Sequence, residues 1–218
     1  AAAAPAAPRV FLVDKPGAIQ SNILVGLAAP STAAPNTLEM DTMNAVLAGT
    51  FTSRINMNLR EDKHWSYGVR ASLADARGQR PWLLSAPVQT DKTVESMREI
   101  LREVTEYVGA RPATTEEVTK IRNRDVRALS GRYETNAAVA GAIAEMITFG
   151  RPDDYVRTLK GRIEAQTDDG VRAAAREALD PARLTWVVIG DLAKIEQPIR
   201  DLKLGTVQVL DADGNPVR

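Results

Sequence analysis

The sequence predicts an α+β fold, in which an antiparallel or mixed sheet carries helices packed mainly on one face. The predicted elements follow in the order strands, helices, a hairpin, a long helical block and a late strand. This order differs from the regular strand–helix alternation of a doubly wound parallel sheet. The hydrophobic period changes from about 3.6 to 2 near Ser66, and residues 184–189 form a short apolar run. These observations predict one sheet containing residues 66–74, 82–88 and 184–190.

The N-terminal part of this fold is predicted to contain two strands followed by two helices. RVFLVDK alternates weakly and stops at Pro16 and Gly17, and AIQSNILVGLAA then forms a second strand. From Thr37 the apolar residues recur with helical spacing. The first helix carries Leu38, Met40, Met43, Val46 and Leu47, and the second carries Phe51, Ile55 and Leu59.

The helical block after the hairpin is predicted to pack on the sheet. Helices over residues 91–109 and 114–133 are expected to cover one face, the second opening with a Thr/Glu capping box. NAAVAGAIAEMITFG predicts a small-residue, largely buried helix. The remaining predicted elements are DDYVRTLKGRIEAQ, TDDGVRAAAREALD and LAKIEQPIRDL as helices, and TVQVL as an edge strand.

The chain is expected to divide into three segments. Residues 1–8, AAAAPAAP, form an Ala/Pro-rich linker or a cloning remnant and lack the basic and apolar regions of a signal peptide. Residues 9–210 form the domain, and residues 211–218 are expected to be a frayed tail. No apolar run approaches the roughly 18–20 residues that a membrane helix needs.

Composition argues against several functions. The 28 basic and 28 acidic residues cancel, which gives no sign of nucleic acid or an anionic membrane as partner. There is no cysteine and a single histidine, so the two histidines of an HExxH or HxxEH zinc site are missing. Motifs for a phosphate loop or a GxSxG nucleophile are also missing. We therefore expect this chain to bind no metal and, alone, to catalyse nothing.

The stretch LREDKHWSYGV, residues 59–69, admits a purely structural interpretation. Arg60 and His64 would end a helix, where cations complement the negative end of its dipole. Tyr67 would share a strand face with Val69 and pack in the core. On the residues alone, this interpretation stays open beside a functional one.

The run AGTFTSRINMNLREDKHWSYGVRAS, which contains that stretch, resembles the C-terminal-domain signature of the M16 peptidases, the insulinase, pitrilysin and mitochondrial processing peptidase family. DKPGAIQSNILVGL is similar to the strand pair that opens these domains. LTWVVIGD followed by LAKIE resembles their closing strand and helix. The resemblance covers most of residues 9–205 and implies the M16 metallohydrolase-like fold.

The resemblance also implies a divided active site. In this family one half binds zinc through HxxEH and a distal glutamate, and the homologous half supplies an arginine and, seven residues later, a tyrosine. Arg60 and Tyr67 have that spacing, which implies that they bind substrate and complete a zinc site held in another domain or subunit. Gly49 and Thr50, in a turn with fewer glycines than is usual, are implied to contact the peptide as well.

The sequence therefore predicts a non-catalytic, substrate-binding and site-completing domain of a zinc metalloprotease, with zinc and a homologous HxxEH-bearing partner supplied from elsewhere. Two alternatives remain: a purely structural M16-like subunit and an unrelated α+β binding module. His64 stands where many relatives have glycine, so it is expected to be an exposed cap in a left-handed conformation. The Ala/Arg-rich composition, together with exported bacterial relatives, favours the bacterial periplasm as compartment.

Overall fold

A mixed sheet of six strands forms the centre of the structure, a computed structural model that describes residues 7–217. The strands are β1 (Arg9–Asp14), β2 (Gln20–Ala29), β3 (Arg70–Leu73), β4 (Arg80–Gln89), β5 (Thr185–Gly190) and β6 (Thr206–Leu210). Their order in the sheet is β3-β4-β2-β5-β1-β6. β1 runs parallel to both its neighbours, and the other pairs are antiparallel. The mixed sheet predicted from the sequence is confirmed, whereas the predicted linker lies almost wholly outside the described residues.

Helices and helical turns connect the strands. The helices are α1 (Thr37–Asn44), α2 (Arg54–Asn56), α3 (Thr93–Val108), α4 (Thr115–Arg132), α5 (Asn136–Phe149), α6 (Tyr155–Glu164), α7 (Asp168–Ala178) and α8 (Leu192–Asp201). α1 continues as a π-helical turn over Ala45–Gly49, and α2 continues as another over Met57–Asp62. The predicted capping box is present at Thr114 and Glu117. Among residues 7–217, no helix is both long and apolar enough to cross a bilayer.

One face of the sheet is buried and the other is partly open. Ile23 pairs with Val188 and Val25 with Trp186, and all four side chains are at most 1% exposed. Their neighbours along the strands, such as Leu24, point to the opposite face and are only half-buried. α3, α7 and α8 pack against strands of the sheet. This alternation confirms that the helices lie mainly on one face.

Two helices differ from what the sequence predicts. α4 packs chiefly against α1, α6 and α7, rather than covering the sheet as α3 does. The prediction that α5 is largely buried is wrong: none of its residues is buried, and Ile147 is 75% exposed. A helix that is apolar on all sides can bury itself only where other elements surround it. The described part of the chain contacts α5 on one side.

The C-terminal segment is ordered by a turn. The Asp211 N–H donates to the Asn215 carbonyl at 2.9 Å, and the Val217 N–H donates to the Val209 carbonyl at 2.8 Å. The Asp211 carboxylate accepts from the backbone N–H of Asn215 at 2.8 Å, which mimics a backbone turn. The expectation of a frayed tail is therefore wrong for residues 211–217.

Candidate functional site

Arg60 and Tyr67 line one concavity of about 560 Å³ on the surface of the domain. Arg60 comes from the π-helical turn Met57–Asp62, and Tyr67 comes from the loop that leads into β3. The other residues that line it are Ile19, Gln20, Glu61, His64, Trp65, Ser66 and Gln89. The structure thus brings together the two residues that the sequence singled out, at a turn between two elements.

His64 makes the reversal of direction between these elements possible. It is exposed and has a φ of 57°, in the left-handed region, so the prediction of an exposed left-handed cap is confirmed. Its Nδ1 lies 3.1 Å from the Arg60 carbonyl oxygen. Gln89 Nε2 donates to the His64 carbonyl at 3.0 Å. These contacts attach the end of the helical turn to β4 and place Arg60 close to the loop with Tyr67.

Tyr67 is a surface residue. It is 87% exposed, whereas Val69 is 4% exposed. β3 begins only at Arg70, so the alternation of the strand does not extend back to Tyr67. Interpreting Tyr67 as a core residue is therefore wrong. Among residues 7–217 its hydroxyl has no hydrogen-bond partner, which leaves the phenol available to a ligand.

Arg60 is held by an aromatic ring and a carboxylate. The centre of its guanidinium lies 4.4 Å from the Phe51 ring, and Nη1 lies 3.5 Å from Glu61 Oε1. Stacking on an aromatic face restricts the guanidinium while leaving its in-plane N–H donors free to bind. About a third of the Arg60 side chain, 35%, remains exposed. A partly exposed arginine that retains unused donors is suited to holding peptide carbonyl groups.

Gly49 and Thr50 do not line this concavity. A Cβ at Gly49 would lie 2.8 Å from Asn44 Nδ2 and 3.0 Å from the Asn44 carbonyl oxygen, so the end of this π-helical turn favours glycine. Thr50 Oγ1 donates to the Ala45 carbonyl at 3.0 Å. Both residues shape the turn that leads to Phe51, and their predicted contact with a peptide stays a prediction.

The sequence did not single out Asn56, which fixes both sides of the site. Its Nδ2 donates to the Phe51 carbonyl at 2.5 Å, and its Oδ1 accepts from the Val69 N–H at 2.8 Å. The buried Asn56 amide therefore fixes the backbone at Phe51 and at Val69, on the two sides of the site. This role depends on which backbone groups the two ends of the amide contact in the folded chain. The sequence does not show those contacts.

Arg54 anchors the helical segment that carries Arg60. Its Nε and Nη2 donate to the two carboxylate oxygens of Glu117 at 2.7 and 2.6 Å, and Nη2 also reaches the Pro112 carbonyl. Burial of the Glu117 carboxylate opposes its ionisation, but hydrogen bonds from Arg54 and Thr114 outweigh that effect and hold its pKa below the usual range. The SR pair of the motif is the sequence signal that could have identified Arg54.

The site offers hydrogen-bond donors and exposed apolar surface. No group of three or more His, Cys, Asp or Glu side chains within residues 7–217 is arranged to hold a metal ion. A phenol and a guanidinium at one concavity can both donate to a peptide carbonyl oxygen. These two side chains are therefore chemically able to bind and polarise a carbonyl group.

Comparisons with known proteins agree with this fold. The family model described as the peptidase M16 inactive domain matches residues 2–124, more than half of the chain. The peptidase M16 inactive domain from Pseudomonas fluorescens is 19% identical, with a TM-score of 0.79, and the match covers 86% of this chain and 44% of that one. A protease from Helicobacter pylori is 16% identical, with a TM-score of 0.75, over 84% of this chain and 44% of that one.

A third similar structure is an inactive peptidase domain from Bordetella parapertussis, with 20% identity and a TM-score of 0.66 over 78% of this chain and 91% of that one. The chain spans less than half the length of the first two structures. No sequence among curated proteins matches it. The shared fold removes the alternative of an unrelated α+β binding module. The chain belongs to the peptidase M16 inactive domain family.

Proposed function

We propose that this domain completes the active site of an M16 zinc metalloprotease, whose zinc is held by a homologous HxxEH-bearing domain or subunit. Arg60 and Tyr67 act on a peptide bound between the two halves. The Pseudomonas fluorescens and Helicobacter pylori chains are more than twice as long as the regions that match this domain. They therefore have room for such a half. In such an enzyme the zinc ion supplies an activated water.

The two side chains have separate roles in this proposal. The Tyr67 phenol donates a hydrogen bond to the carbonyl oxygen as negative charge develops on it, as backbone amides do in other proteases. Arg60, fixed by Phe51 and Glu61, holds carbonyl groups of the bound peptide through its remaining donors. Tyr67 thus acts mainly in the transition state, and Arg60 acts in the ground state as well.

The observation that carries the proposal is the exposure of Tyr67. Its large ring is 87% exposed and faces the concavity that Arg60 also lines. A tyrosine that served only to fill the core would bury its ring. A purely structural subunit remains the competing function, because the stacking of Arg60 on Phe51 would also stabilise a surface turn.

Kinetics of the domain reconstituted with its zinc-bearing partner test the proposal. Tyr67→Phe removes one hydroxyl that has no partner in the described structure, so the free energy of unfolding should change by less than about 0.5 kcal/mol. The kcat should fall by about 10²-fold, with KM nearly unchanged, because one oxyanion donor is lost. Arg60→Ala should raise KM as well as lower kcat.

Matched controls separate the site from general effects. Tyr133→Phe removes a hydroxyl and Arg127→Ala removes an exposed guanidinium, and neither residue lines the concavity. Both controls should retain wild-type turnover. Full activity in Tyr67→Phe would refute the proposed role and leave the structural subunit as the remaining function.

A further inference from the structure

A second concavity, of about 670 Å³, adjoins the one that holds Arg60 and Tyr67. It lies between the β1–β2 turn, the start of α3 and the exposed side of α8. Its apolar lining consists of Ala18, Ile19, Val94, Ile195 and Pro198. Ile19 lines both concavities, so the two form a continuous surface across this one side chain.

Ile19 has an exposed side chain on a backbone that hydrogen bonds hold in place. Its side chain is 88% exposed. Its carbonyl accepts from the Thr90 N–H at 3.2 Å, and the preceding Ala18 carbonyl accepts from Thr90 Oγ1 at 2.8 Å. The turn before it is closed by the Ala18 N–H, which donates to the Lys15 carbonyl at 3.1 Å. An apolar side chain on a restrained backbone loses little entropy when a ligand covers it.

Exposed apolar side chains cluster in this region. Single exposed hydrophobic residues are ordinary on a protein surface. Here Tyr67 is 87% exposed and lines the first concavity with Ile19, while Phe51, 56% exposed, lies against Arg60. Tyr67 is therefore accompanied by two further exposed apolar side chains, Ile19 and Phe51, next to Arg60 and the concavity.

The charges around the second concavity point to an uncharged ligand group. Acidic Asp91 and Glu95 line it together with basic Arg98 and Lys194, so the two signs balance. Lys194 is paired with Asp191 at 3.0 Å. A phosphate or nucleotide site would need an excess of basic groups or a backbone cradle. An apolar floor with a balanced rim fits an aliphatic or aromatic side chain of a peptide.

We propose that the second concavity is a subsite for an apolar side chain of the same peptide whose carbonyl is held at Arg60 and Tyr67. Ile19 is the specificity-determining residue, because it contacts the peptide where it passes from one concavity to the other. This proposal rests on the proposed function and adds a substrate preference to it. The preferred peptides carry Leu, Ile, Met or Phe at one fixed position.

A positional series of peptides tests the subsite on the complex with the zinc-bearing partner. Each peptide has a Ser/Gly-rich background with Leu placed at one position, and its partner peptide has Gly there. At one position the Leu peptide should be preferred by about tenfold in kcat/KM. Ile19→Ala should reduce that ratio by about 3- to 10-fold, because part of the apolar contact is lost. Ile147→Ala, which removes an exposed isoleucine outside both concavities, should leave the ratio unchanged.

The two proposals fail in different ways. If Tyr67 serves all substrates, Tyr67→Phe lowers turnover of every peptide by the same factor and does not alter the Leu-to-Gly ratio. An unchanged ratio in Ile19→Ala would refute the subsite even where Tyr67→Phe is inactive. Binding to the 218-residue chain alone gives a readout independent of turnover. The Ile19 methyl NMR signals should shift with the Leu peptide and not with its Gly partner, and equal responses to both would also refute the subsite.

Discussion

α3 and α5 are helices of similar length, 16 and 14 residues, that use apolar side chains in opposite ways. α3 is rich in charged residues, yet it buries seven side chains that recur along one side of the helix. α5 has a single charged residue, Glu145, and buries none. The comparison teaches that the arrangement of apolar residues around a helix, together with the elements that surround it, decides burial. Apolar content alone does not.

α5 is held mainly by its ends. Thr135 accepts from the Ala138 N–H at 3.1 Å at the start of the helix, and Gly150 closes it with a φ of 62°. Arg77 Nε donates to the Thr148 carbonyl at 2.7 Å. Met146 packs against a small cluster formed by α6 side chains. With so little burial, capping and helix propensity contribute a larger share of the stability of α5 than of α3.

The largest expected effect contrasts the two helices directly. Ile100 in α3 is fully buried, so Ile100→Ala should lower the free energy of unfolding by about 2–5 kcal/mol. Ile143 in α5 is 52% exposed, so Ile143→Ala should change it by no more than about 0.5 kcal/mol. Urea denaturation of both variants measures the difference. Equal losses would mean that α5 is packed far more tightly than the structure shows.

A smaller effect concerns the ion pair between Arg54 and Glu117 at the junction of α3 and α4. There Arg54 also lies 5.0 Å from the ring of Tyr107. Glu117→Gln should cost about 1–2 kcal/mol at neutral pH, because a charged, bidentate hydrogen bond is lost. The lowered pKa of Glu117 means that its contribution is present above the ordinary glutamate range and disappears as the pH falls. Wild type and variant should therefore converge in acid. The exposed neighbour Glu116, changed to Gln, serves as control, and a pH-independent difference would argue against the pair.

The smallest effects are a pair of opposite sign within α5. Gly150 has a left-handed backbone, so Gly150→Ala should destabilise the end of the helix by about 1 kcal/mol. Gly141 lies within the helix with open space where a Cβ would point, so Gly141→Ala should stabilise it by about 0.5–1 kcal/mol. Hydrogen exchange of the α5 amides reports both changes. Effects of the same sign would contradict the capping role of Gly150.

Periodicity made much of the fold predictable from the sequence. The alternation in β4 and the apolar run in β5 reflect which side chains the helices cover, so the sheet could be identified. Burial of α5 was predicted wrongly, because composition says that a helix is apolar but not whether another element covers it. The order of the strands, with β1 between β5 and β6, depends on long-range pairing that local patterns do not encode.

The candidate site was predictable only in part. The resemblance to the M16 signature identified Arg60 and Tyr67, and the structure places both at one concavity. Their neighbours Ile19, in the turn before β2, and Gln89, at the end of β4, are distant in the sequence, so no local motif could include them. The exposure of Tyr67 depends on where β3 begins, which the Asn56 hydrogen bond to Val69 helps to set. The spacing of Arg60 and Tyr67 in the sequence gives no information about that hydrogen bond.

The position of β1 has a consequence for how this chain folds. Its residues pair only with β5 and β6, which lie at the opposite end of the sequence. The chain must therefore close a loop of nearly its whole length before the sheet is complete, and such contacts make folding slow. On a ribosome, β1 would emerge before the other strands of this sheet and remain unpaired until β5 and β6 have been made. Its apolar residues would then be open to wrong strand pairing or to binding by a chaperone for most of that time.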